Sequence, residues 1–148
     1  MKNKYMELAI EMANKAATQD EVPVGCVIVI KDKVIVKTFN RKEIKNSPVY
    51  HAEIDALLKA VKKTKDWRLS EADLYVTLEP CLMCVGAIIH HRVKNVYFGA
   101  YDPKGGAVES VIKISKIKGL NHYPNFYGGI LETESSNLLK QYFRTKRK

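Results

Sequence analysis

The chain has 148 residues, 46% of them hydrophobic and 28% charged, an ordinary globular composition that suits one domain able to bury a real core. No apolar run approaches the ~20 residues needed to span a bilayer, and Lys2 and Lys4 are followed by neither an apolar core nor a small-residue cleavage site, so no membrane span and no secretory leader are expected. A net charge of +9 points to a polyanionic partner, while three cysteines, an odd number, argue against a disulfide framework and for a reducing cytoplasm.

Leu8, Ala9, Met12, Ala13 and Ala16 share one face and predict an opening helix. Cys26–Ile30 reads as an apolar strand that buries Cys26, followed by a Lys31-Asp32-Lys33 turn and a partner strand from Val34 to about Phe39. A polar loop carrying Asn40 then leads to His51, behind which Ala52, Ala56, Leu57, Ala60 and Val61 form an apolar stripe at helical spacing, with Pro48 just upstream. Trp67 is assigned to core packing, and Leu74–Leu78 to a strand. Pro80 marks the start of another helix, in which Cys81 and Cys84 stand one turn apart ahead of Val85, Ala87, Ile88 and Ile89. His90 and His91 fall at its far end, near a possible subunit contact. Asn95–Phe98 is a further strand, Val108–Leu120 a helix, Phe126–Leu131 a last strand, and Leu138, Leu139, Tyr142 and Phe143 belong to a closing helix. Strands separated by helices require parallel crossovers. The expected fold class is therefore α/β: a single three-layer αβα domain over residues 1–148, with a mixed sheet of about five strands whose first pair is an antiparallel hairpin.

Two short strings carry chemistry. His51-Ala52-Glu53 and Pro80-Cys81-Leu82-Met83-Cys84 supply one histidine and two cysteines at metal-ligand spacing, and no fourth cysteine stands near enough to close the shell. Structural zinc takes four protein ligands, whereas catalytic zinc takes three and leaves one position to water. Residues i and i+2 of a helix point about 200° apart at ~3.6 residues per turn. His51 and Glu53 can nevertheless converge if the metal lies beyond the helix N-terminus, near its axis. A helix N-terminus also lowers thiol pKa values, which favours thiolates at Cys81 and Cys84. The expected centre is one Zn2+ per chain on His51, Cys81 and Cys84, with Glu53 left free as the general acid and base. Such a pairing of His-x-Glu with Pro-Cys-x-x-Cys is the signature of the zinc deaminases of nucleobases. A zinc-stabilised RNA-binding module without turnover would have no use for an unliganded carboxylate beside the metal.

Further strings extend the likeness over nearly the whole chain. Glu21-Val22-Pro23-Val24-Gly25, Asn40-Arg41, His51-Ala52-Glu53-Ile54, Leu74-Tyr75-Val76-Thr77-Leu78-Glu79-Pro80-Cys81, Met83-Cys84, Gly86-Ala87, Phe98-Gly99-Ala100, Asp102, Lys104, Gly106-Ala107 and Gly129-Ile130-Leu131 together resemble the bacterial tRNA-specific adenosine deaminases of the cytidine/deoxycytidylate deaminase superfamily. The run from Phe98 to Ala107 favours that branch. The resemblance implies a cytidine deaminase-like fold, conversion of adenosine to inosine at the wobble position of a tRNA anticodon, a zinc cofactor and a homodimer with the site near its interface. It implies that Asn40 holds the base through its amide and that Asp102 and Lys104 line the substrate mouth. Tyr142, Phe143 and Arg144 suit stacking and phosphate contact at an anticodon loop, with Lys146, Arg147 and Lys148 behind them, and His122 is a further candidate RNA contact. The alternative is a deaminase of a free base or nucleoside, of guanine or cytosine type, which would share every catalytic residue. Glu109 stands where members of the family usually have glycine, and Val49 and Tyr50 where they have small residues. A carboxylate at position 109 would repel RNA phosphates, and Tyr50 would reshape the base pocket.

Overall fold

A computed structural model describes residues 2–146. The elements, in chain order, are α1 (Lys2–Thr18), β1 (Gly25–Ile30), β2 (Lys33–Phe39), α2 (Ala52–Thr64), β3 (Ala72–Leu78), α3 (Leu82–His90), β4 (Asn95–Ala100), a 3-10 turn at Ile114–Lys116, β5 (Asn125–Tyr127) and α4 (Glu132–Lys146). The five strands form one mixed sheet in the order β2-β1-β3-β4-β5. β1 pairs antiparallel with both β2 and β3, and β3, β4 and β5 run parallel. The β1–β2 hairpin turns on Lys31 and Asp32, both at positive φ (51° and 63°), which matches the right-handed twist of the flanking strands.

Alternation along the strands divides the core into two layers. Cys26 and Ile28 of β1, Leu74 and Val76 of β3, and Val96 and Phe98 of β4 pack under Ala56, Leu57, Val85 and Ile88 of α2 and α3. Val27, Val29, Tyr75 and Tyr97 face the other way, against Tyr5, Met6 and Ala9 of α1. α4 lies beside α1 on that second face, over β4. The central strands are thus covered on both sides, which is why they read as continuous apolar runs. Among the described residues no helix is long and apolar enough to cross a membrane.

Three expectations need correction. Val108–Leu120 does not form a helix: it runs through turns, with only Ile114–Lys116 in a 3-10 turn, because Val108, Glu109 and Ser110 direct their backbone N–H groups to the Glu79 carboxylate and Ile114 drops into the core as an anchor. The last strand is Asn125–Tyr127 rather than Phe126–Leu131, since Gly129 (φ 81°) and Leu131 (φ 53°) turn the chain off the sheet into α4. Trp67 is not core: it is 51% exposed, with the Arg68 and Arg92 guanidiniums 5.3 and 5.8 Å from its ring centre.

Candidate metal centre and active site

β3 ends at Leu78, and Glu79 and Pro80 carry the chain to Cys81, the residue immediately before α3. His51 holds the same position before α2. Both residues are extended (φ −75°, ψ 158° and φ −77°, ψ 173°), and neither side chain caps its own helix. They turn toward one another instead. Sγ of Cys81 lies 3.7 Å and Sγ of Cys84 3.5 Å from Nδ1 of His51, and the three donor atoms all fall within 4.8 Å of each other. Tetrahedral zinc with Zn–N of about 2.0–2.1 Å and Zn–S of about 2.3 Å requires N···S separations near ~3.6 Å. The donor set therefore fits a metal in both type and spacing. Pro80 sits one residue before Cys81 rather than inside α3, so it directs the chain into the site and does not open the helix itself.

Two helix N-termini, with their partial positive charge, converge on this point. Protons are shared unequally between the thiols: hydrogen bonding from Cys84 holds Cys81 down at about 4, while the same contact and burial push Cys84 up. The hydrogen bond to Cys81 raises His51. A bound dication takes the ligand thiols to thiolates whatever their prior balance.

Glu53 stands at the second position of α2, buried at 4% exposure, with its carboxyl against Cys84. Burial pushes that carboxyl up to about 7, and the group adds no fourth ligand atom to the His51–Cys81–Cys84 cluster. A carboxyl poised between its two forms at neutral pH is suited to accept and return a proton.

A cavity of about 210 Å³ opens over these groups, with Val22, Val24, Ala52 and Leu78 as apolar wall and Asn40, Lys42 and Asp102 as polar rim. It lies outside the carboxyl end of β3, the usual ligand position in sheets with parallel strands. Its volume falls below the ~300–1,000 Å³ of pockets for drug-sized ligands, so it takes a single ring system and leaves any larger substrate outside.

The other sequence-derived candidates divide. Asn40 is buried beside the cavity; its amide donates to the Val22 carbonyl (3.2 Å) and accepts from the Lys42 N–H (3.1 Å). Asp102 lines the cavity and also holds its own turn, accepting from the Lys104 N–H at 3.1 Å. Lys104 follows on the exposed side of that turn and is not part of the wall. Tyr142, Phe143 and Arg144 lie on α4, away from the cavity wall; the Tyr142 hydroxyl donates to the carbonyl of Asp20, and Phe143 is exposed. His122 is engaged within the chain, its Nε2 2.7 Å from the Val93 carbonyl. Tyr50 is turned to Asp55 and is not in the wall, and Glu109 lends its backbone N–H to Glu79. His90 ends α3 exposed, and His91 follows it, its Nδ1 2.7 Å from the Ala87 carbonyl. Arg147 and Lys148 lie outside the described residues.

Sequence reading assigned no role to Glu79 or Glu21, both fully or almost fully buried. Glu21 accepts the N–H groups of Glu43 and Ile44 and so fixes the loop that follows Asn40. Desolvation alone would raise Glu79, but hydrogen bonds from Glu109, Ser110 and Asp102 bring it below the usual carboxylate range. The signal was available: a glutamate flanked by apolar residues and closing a core strand has to find partners.

A three-layer αβα fold with three N and S donors and one unliganded buried carboxyl at converging helix N-termini defines the class of metal-dependent nucleobase deaminases. The MafB19-like deaminase family matches residues 1–147. A tRNA-specific adenosine deaminase of Agrobacterium fabrum is 46% identical over 97% of this chain and 94% of its own length, and one of Bacillus subtilis is 42% identical over 97% and 89%. A solved structure from work on A-to-I editing by tRNA:A34 deaminases at the wobble position of transfer RNA overlays with a TM-score of 0.89 at 44% identity, covering 92% of this chain and 99% of that one. A guanine deaminase from Nitrosomonas europaea shares the fold, with a TM-score of 0.78 at 23% identity over 95% of this chain and 83% of its own. The chain belongs to the MafB19-like deaminase family and, within it, to the tRNA-specific adenosine deaminases.

Proposed function

We propose that the protein is a hydrolase that deaminates adenosine to inosine at the wobble position of a tRNA anticodon. The observation that carries this reading is the juxtaposition of the His51, Cys81 and Cys84 donor atoms with the buried Glu53 carboxyl at the floor of a cavity sized for one base. His51, Cys81 and Cys84 would hold a zinc ion, which would supply Lewis acidity able to bring the pKa of water to roughly 7.

The chain's own groups do the rest. Adenine enters edge-on between apolar walls that exclude bulk water. Asn40 keeps one amide hydrogen and one carbonyl lone pair beyond those already engaged, and these suit the polar edge of the base. Glu53 accepts a proton from the attacking water and passes it to N1 of the ring, which makes C6 electrophilic. Water oxygen adds at C6. The same carboxylate then takes the proton of the new C6 hydroxyl and gives it to the amino group, which leaves as ammonia while C6 becomes a carbonyl. Because anticodon bases are already unpaired, presenting one to so small a cavity requires splaying rather than breaking a pair.

The reading brings with it one zinc per chain, one catalytic domain over residues 1–148, Asp102 and Lys104 at the mouth, and RNA contact by Tyr142, Phe143 and Arg144. Three free cysteines suit a reducing cytoplasm. A homodimer is part of the same proposal, tested by the mass of the protein in solution. The deciding experiment incubates purified protein with an anticodon stem-loop bearing adenosine at position 34 and measures inosine, with free adenine, guanine and cytosine as comparison substrates. Inosine in the stem-loop is expected. Efficient deamination of a free base with none of the stem-loop would overturn the reading.

A further inference from the structure

Residues 101–113, which carry Asp102 and Lys104, contain neither helix nor strand. One side chain gathers them. The carboxylate of Glu79, 2% exposed, accepts from the backbone N–H of Val108 (3.1 Å), Glu109 (2.8 Å) and Ser110 (3.0 Å) on Oε2, and from the N–H of Asp102 (3.0 Å) and the Ser110 hydroxyl on Oε1. The loop is then pressed onto the metal-ligand string: Ala107 N–H donates to the Pro80 carbonyl at 2.8 Å, and Gly106 bridges Cys81. Gly106 is the residue this approach demands, because a Cβ there would overlap the Glu79 carboxyl.

We propose that Glu79 is a positioning residue for substrate: its carboxylate fixes the loop from Asp102 to Ser110 against Cys81 and so sets where Asp102 meets the base and its flanking backbone. The role rests on the deaminase reading above and deepens it. All five groups aimed at this side chain are donors, so only an acceptor on both oxygens satisfies them. A glutamine can offer its carbonyl to the three amides of 108–110, but its NH2 then faces the Asp102 N–H, and that end of the loop is released. The loss of positioning therefore falls on the mouth, not on the groups that move protons.

The test is Glu79→Gln measured by zinc content, thermal unfolding, KM for the anticodon stem-loop and single-turnover inosine formation at saturating RNA. Retention of zinc is expected, with KM raised about tenfold, the equivalent of one hydrogen bond to a charged group, and a saturated rate changed by no more than about threefold. Ser110→Ala removes one donor from the same carboxylate without touching the core and should raise KM in the same direction by about threefold. It carries the test if Glu79→Gln does not fold. A lowered unfolding temperature with unchanged KM in the folded, zinc-loaded variants would make Glu79 a purely structural group and overturn the proposal, as would a lost saturated rate with unchanged KM. No inosine from the unaltered protein would overturn both readings; normal turnover there with indifferent variants overturns this one alone.

Discussion

His51 and Cys81 hold the positions from which a short polar side chain ordinarily caps a helix, and both side chains turn instead into the donor cluster with Cys84 that could hold a metal. Each helix thereby keeps its first N–H groups directed at the site, where their partial positive charge favours thiolate and an anionic transition state. Glu53, two residues beyond His51 in α2, is buried, and burial holds it up at about 7. Replacing it with alanine or glutamine should keep zinc and fold but lower single-turnover deamination by at least ~10², the usual contribution of a positioned general acid and base. Near-normal turnover would require another proton carrier. Cys81→Ala with Cys84→Ala should instead reduce zinc from one per chain to near zero on metal analysis, since His51 alone cannot hold the ion; full retention would remove the site. At this scale the sequence was highly legible. Ligands spaced i and i+3 are local facts, and the His51 pairing needed only the inference that both helices aim at one point. Glu79 was missed for the opposite reason: its partners lie 23 to 31 residues away and are mostly backbone amides, which no residue type announces.

At the scale of elements, close approach decides more than propensity does. β1 opens with Gly25, where a Cβ would penetrate the backbone carbonyl of Ala9 in α1, so the helix lies on the strand end with nothing between them. That contact ties α1 to the chain segment whose Val22 and Val24 form the apolar wall of the cavity. Gly25→Ala should cost at least the ~1–3 kcal/mol of overpacking, read as a lower denaturant midpoint, because backbone rather than a flexible side chain has to move. An unchanged midpoint would show that α1 can shift freely. The apolar-periodic helices and the strands β1, β2 and β3 were read correctly because their burial is written in their periods. Val108–Leu120 carries a similar density of apolar residues but spends its first amides on Glu79 and Ile114 as an anchor, a tertiary demand that overrides local preference. Trp67 was misplaced because two arginines cover its ring, which composition does not reveal.

For the whole molecule, the small cavity and the net charge of +9 belong to one problem, since a site that admits one base leaves the rest of a polyanion to be held by the outside of the protein. Two basic surfaces compete for it. Lys37, Lys59 and Lys62 line a groove over β2 and α2; Lys62 lies ten residues beyond Ala52, about 15 Å along the helix from its metal-facing end. The other surface is the end of α4. There the Tyr142 hydroxyl is bonded to the carbonyl of Asp20, two residues before the cavity-wall residue Val22, and Lys146 pairs with the Asp20 carboxylate. Both groups of that ion pair are solvent-exposed, so it is worth little and leaves Lys146 available to a phosphate. Neutralising Arg144, Lys146, Arg147 and Lys148 together should weaken stem-loop binding mainly at low salt and flatten the plot of log affinity against log salt by ~0.7 for each single-strand phosphate that the protein no longer neutralises. Deamination of RNA already bound should change little, because none of the four is a ligand or a proton carrier. Neutralising Lys37, Lys59 and Lys62 should leave the slope as it was. The measurement is stem-loop binding and single-turnover rate across a salt series for both variants. A slope altered only by the second set would transfer RNA contact to the β2–α2 face. A slope altered by neither would place the phosphates at the cavity mouth, where Lys42 lines the rim and Lys104 follows Asp102 on the exposed side of its turn.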